Sequence, residues 1–185
     1  MKESGNILRI LKETRTALHE NDSYKIKQLS NQTIHTATIY QDPDNILIAV
    51  LVYAVSKIIE REHYKEMPGW DKFYSALTTN LDKGIVFLEK NELEGFRNSM
   101  GRIRNSINDL NGLKQYIKDV FEKAQINKAF KIYEHGLSSE QTAALLGVSL
   151  WDLSSYIGQS TVHDTKINET MPVRQRVKIA EDIFK

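Results

Sequence analysis

Apolar residues recur at three- and four-residue steps along almost the whole chain, which is the spacing of one face of an α-helix. Ile7, Leu8, Leu11 and Leu18 set the first stripe, and Asn21-Asp22-Ser23 then supplies a break and a fresh N-cap. A second helix is predicted from Ser23 to about Tyr40, with Ile26, Leu29, Thr33, Ile34, Ala37 and Ile39 turned inward. Gln41-Asp42-Pro43-Asp44 punctuates the first half: Asp42 can cap, and Pro43 at a first helical position gives up a donor that would have no partner anyway. The next helix, Pro43 to about His63, carries the run ILIAVLVYAV (46–55) and is apolar on most sides, so it is expected to form the buried centre of a bundle. After Met67-Pro68-Gly69-Trp70 come two amphipathic stretches, about Asp71–Lys90 and Glu92–Leu110, parted at Asn91 and ended near Asn111-Gly112. A further helix from about Leu113 to Glu134 closes at His135-Gly136, with glycine at the position after the cap. No stretch alternates β-branched and polar residues. The expected fold is all-α: an antiparallel helical bundle over residues 1–112, a small trihelical unit over 113–160, and a polar linker with an amphipathic helix over 161–185.

Composition narrows the chemistry. Of 185 residues 41% are hydrophobic and 26% charged, the profile of a globular protein, and with 25 Lys+Arg against 24 Asp+Glu no global basic field draws the chain to nucleic acid. The absence of cysteine excludes disulfide scaffolds, thiol catalysis and cysteine zinc sites. The longest apolar run, at about ten residues, is half of what a membrane-spanning helix needs, and the charged, amphipathic opening does not read as a signal peptide; a cytoplasmic location is expected.

One segment is informative. SEQTAALLGVSLWDLSSYIG (139–158) fits a helix-turn-helix template. Ala143 falls where the two helices approach closely, and Gly147 falls in the turn, where a positive φ is wanted. Leu146, Val148, Leu153 and Tyr156 fall at core positions. Ser138 opens a capping box with Gln141, and Ser149 can cap the second helix with Asp152 three residues on. Helix 127–135 would supply the third face of the unit. If the second helix, Leu150–Ile157, enters a DNA major groove, the residues presented to duplex DNA are Ser149, Trp151, Ser154, Ser155 and Gln159. Hydroxyls suit phosphates and base edges, yet this helix has no Lys or Arg, and Asp152 repels phosphate. The alternative is a protein-docking or packing module that never touches DNA.

The run INKAFKIYEHGLSSEQTAALLGVSLWDLSSYIGQ resembles small prokaryotic antitoxins built as helix, Gly, Ser and then A-x-L-L-G-[VI]-S-x-W-[DE]-L, commonly encoded beside PIN-domain ribonucleases. The ending MPVRQRVKIAEDIF resembles the short C-terminal helix that often follows in such proteins, so the resemblance spans roughly Ala124–Lys185. It implies a DNA-binding regulator, dimeric through its amino-terminal bundle, that neutralises a PIN-domain nuclease. On that reading the stripe Val173, Val177, Ala180 and Phe184 lies in a groove of the nuclease, with Arg174, Arg176 and Lys178 beside it. Arginine can fork onto the carboxylates that such nucleases gather around a divalent metal. A terminal helix packed on its own domain is the plainer alternative.

Other signals are weaker. Asn31 and His35 share a helical face with Ser30 and Thr33 close by, and a hydrogen-bonded core pair is expected there rather than an acid–base site. Arg97, Arg102 and Arg104 give their helix a basic edge, balanced by Glu92, Glu94 and Asp109 into a solvated face. The five histidines lack metal-ligand spacing, and neither a phosphate loop nor the Arg-x4–6-His pair of the all-helical HEPN ribonucleases is present. No enzyme activity, metal or cofactor is expected.

Overall fold

A computed structural model describes residues 3–40, 42–106 and 114–161, without the side chains of 35–40 and 161. Among these residues the chain is helical throughout and no strand forms. The helices are α1 Ser4–His19, α2 Ser23–Tyr40, α3 Pro43–Ile59, α4 Trp70–Glu89, α5 Leu93–Ser106, α6 Lys114–Glu134, α7 Ser139–Leu146 and α8 Leu150–Thr161.

Local chemistry sets most of the boundaries. Asp22 accepts the Lys25 N–H at 2.8 Å and caps α2, while Asn21 turns the chain at φ 57. Asp42 accepts from Asp44 N at 2.9 Å ahead of Pro43, as expected. Asn91 takes φ 62 between α4 and α5, and Gly136 takes φ 99 after α6. One expected boundary moves. Instead of running to about His63, α3 ends at Ile59, and Glu62–Glu66 forms a 3₁₀ turn. Tyr64 there is buried, lies 6.0 Å from the Tyr116 ring and sits under the Arg61 guanidinium, so packing against α6 replaces the next α-helical turn.

α3 is the most enclosed helix, with Ile46, Ile48, Ala49, Leu51, Val52, Ala54 and Val55 all buried, as its sequence predicts. α2 packs along it, and the Ser30 hydroxyl donates to Ala49 O at 2.7 Å. α1 packs on α2 and α4, and α4 pairs with α5. That last pair approaches closely because Gly95 lies against the Phe87 ring, where a Cβ would meet ring atoms at 2.6 Å. Arg97 on α5 donates through Nε and Nη2 to both carboxylate oxygens of the buried Asp44, at 2.9 and 2.8 Å. This fork ties α5 to the first turn of α3 and takes Arg97 out of the basic edge read from the sequence. α6 lies on α3 and α2 and also carries α7 and α8, so the core runs unbroken from the first helix to Leu153 on the last. Among the described residues no helix is long and apolar enough to cross a membrane.

Candidate functional site

The α7–α8 turn meets each local demand of its template. Ser138 accepts from Gln141 N at 3.1 Å while the Gln141 side chain accepts from Ser138 N at 3.3 Å, completing the capping box. Gly147 takes φ 65 and ends α7, and Val148 N donates to Ala143 O at 3.1 Å. Ser149 accepts from Asp152 N at 3.0 Å and caps α8. Ala143, Leu146 and Leu153 are buried, and Leu153 has no exposed surface at all. Tyr156 is half-buried, edge-on to Phe130 at 5.5 Å, and its hydroxyl accepts from Asn127 Nδ2 at 3.0 Å. α8 extends one turn past the expected Ile157, to Thr161. Gln125 Nε2 donates to Leu146 O at 2.9 Å, satisfying a carbonyl at the end of α7 and locking the turn to α6.

With Leu153 pointing in, the opposite face of α8 points out. Ser149, Trp151, Ser154, Ser155 and Gln159 are all exposed, so the structure brings the five residues singled out in the sequence onto one open surface. Trp151 is 81% exposed and Leu150 next to it 43%. The face holds one charge, Asp152, and no cation. A large aromatic left in water beside hydroxyls and a leucine is unusual on a surface that has no binding task. The tail residues Arg174, Arg176, Val177, Lys178 and Phe184 lie outside the described residues.

A second cluster was not anticipated. Lys128 on α6 is fully buried, with 0% exposure. Its ammonium donates to Asn31 Oδ1 at 2.9 Å and lies 4.2 Å from the centre of the Tyr53 ring. Burial pushes this ammonium down from its ordinary 10.5 to about 7, and the nearby cations Lys131 and Lys27 push in the same direction. Burial likewise raises the Tyr53 phenol above its ordinary 10.0, with Lys57 opposing. Asn31 is exposed rather than in the core and bonds across to α6; the side chain of His35, its expected partner, lies outside those described. A sequence signal for the cluster exists: Lys128 occupies the stripe Ile117, Val120, Ala124, Lys128, Ile132, a lysine at a core position.

Among the described residues no group of three or more His, Asp or Glu side chains is placed to hold a metal ion. Comparison of the chain with protein-family models, with curated proteins and with solved structures finds no match.

Proposed function

We propose that α6–α8 form a helix-turn-helix unit used to dock a protein, and that the outer face of α8 around Trp151 is the contact surface of an antitoxin-like regulator. One observation carries this reading: the exposed face of α8 presents a tryptophan and a leucine among hydroxyls, with no cation. Protein interfaces draw their binding energy from such aromatic anchors, whereas a helix lying in a DNA groove is held by neutralised phosphates. The partner implied by the family resemblance is a PIN-domain ribonuclease, with Arg174, Arg176, Val177, Lys178 and Phe184 as a second contact that blocks its acidic pocket.

DNA binding is the second reading. It is favoured by the turn itself, since the αL glycine, two capped helices and small Ala143 crossing are what a groove-reading helix-turn-helix uses. The two readings separate in one titration series. The protein has two tryptophans, Trp70 buried and Trp151 exposed, so acrylamide quenching reports chiefly on α8. A PIN-domain nuclease encoded beside this chain should protect Trp151 from quenching and lose at least tenfold in affinity with Trp151→Ala. Duplex from the protein's own upstream region should bind, if at all, only at low salt. Salt-resistant, sequence-selective binding of that duplex, with no response to the nuclease, refutes protein docking in favour of the DNA reading.

A further inference from the structure

A cavity of about 540 Å³ opens between α3, α5, α6 and the end of α7. Its volume is within the range of about 300–1,000 Å³ typical of small-molecule sites. The floor is apolar, built by Ile46, Val50, Leu51, Met100, Phe121 and Leu145. The polar groups stand at the mouth: Arg104 and Asn105 from the last turn of α5, with Lys118, Glu122 and Gln125 from α6. They are not equivalent. Lys118 faces Glu122 at 3.7 Å, and Gln125 is held by Leu146 O. Arg104 is exposed and, among the described residues, has neither an ion-pair partner nor a hydrogen-bonded one. One uncommitted guanidinium therefore stands over an apolar slot, next to the Asn105 amide.

We propose that this cavity binds a small amphipathic anion, a carboxylate on an apolar chain, with the chain against the α3–α6 floor and the carboxylate forked onto Arg104. The charge balance selects the sign of the head group: with Lys118 and Glu122 offsetting each other, Arg104 is the one unpaired charge among the described lining residues. A guanidinium supplies two parallel N–H donors to a carboxylate, a geometry that an alcohol or an amine does not use. The floor residues come from all four helices, Ile46, Val50 and Leu51 from α3, Met100 from α5, Phe121 from α6 and Leu145 from α7, and they already line an open cavity. The described lining comes from α3, α5, α6 and α7 and includes no residue of the outer face of α8.

Sodium decanoate is the probe, titrated calorimetrically into the full-length protein carrying [13C]methyl-methionine. Among the described residues Met100 lines the cavity and Met67 does not, which makes the Met100 methyl resonance a local reporter, assigned with Met100→Leu. Saturable one-to-one binding with a shift of the Met100 methyl is expected, and decanol should bind at least tenfold more weakly. Arg104→Gln, an exposed substitution that leaves the core untouched, should weaken decanoate by about 10- to 100-fold, the equivalent of one charge-assisted hydrogen-bonded contact. A Met100 resonance that stays still at millimolar decanoate overturns the proposal. So does decanol or decyltrimethylammonium binding as tightly as decanoate, or decanoate affinity that Arg104→Gln leaves unchanged.

Discussion

Replacing Lys128 by methionine should make the protein more stable at neutral pH, and the gain should shrink as pH rises to 9.5. The folded chain releases the Lys128 proton near pH 7, because burial penalises the charged form, whereas the unfolded chain keeps it up to about 10.5. Between those values unfolding takes up close to one proton, so stability rises with pH by about 1.4 kcal/mol per unit and falls again as pH drops toward 7. From pH 7.5 to 9.5 this one group contributes a rise of about 2–3 kcal/mol. At pH 7 the buried amine costs the fold about 4–5 kcal/mol relative to a side chain with no proton to lose. Methionine, unbranched and of similar length, removes that cost. It also removes the bond to Asn31 Oδ1, a loss of about 0.5–1.5 kcal/mol because Asn31 is exposed and water can take the donor's place, and the cation–π contact with Tyr53, a further loss of about 0.5–2 kcal/mol. The net change is a gain of about 1–4 kcal/mol at pH 7 that shrinks to within about 1 kcal/mol of zero at pH 9.5, where the folded amine is neutral but the unfolded one still holds its proton. Urea melts at pH 7.5, 8.5 and 9.5 read the pH dependence, in a window below the titration of Tyr53. The reasoning fails if Lys128→Met loses stability equally at all three pH values, or if the variant keeps the wild-type slope.

Leu51→Asp should unfold the protein at 25 °C, because an unpaired carboxylate in the α3 core costs several kcal/mol or more; a soluble variant with an unchanged melting temperature would contradict this core assignment. Gly147→Ala should cost about 1–2 kcal/mol in chemical denaturation through backbone strain alone, since φ is 65 and a Cβ there meets nothing within 4 Å. Ser138→Ala should cost about 1 kcal/mol by opening the capping box, with Gln141→Ala adding less than its separate effect because the two bonds are reciprocal. Trp151→Ala should leave the unfolding free energy within about 0.5 kcal/mol of wild type, since the ring contributes almost nothing to the core; a large loss of stability would mean that the ring is packed rather than presented.

The helices, their caps and the turn at Gly147 were legible in the chain because each depends on residues within a few positions of one another. A capping box needs only Ser138 and Gln141, a helix stop only Gly136, and the all-round burial of α3 only a run of apolar residues with no polar face to expose. The outward set on α8 followed from the same local phase once Leu153 was placed inside. Residues brought together from distant parts of the chain were not legible. Nothing near Asp44 announces Arg97, 53 positions away, and nothing near Lys128 announces Asn31, 97 positions away. α3 stops at Ile59 without a proline or glycine, because Tyr64 is drawn against Tyr116 on a helix that begins 50 residues later. In each case the deciding energy is the desolvation of a side chain, and desolvation depends on which helix covers it. Periodicity states that a face will be buried; the tertiary packing alone decides what buries it, and so where a lysine loses its charge and where a cavity is left open.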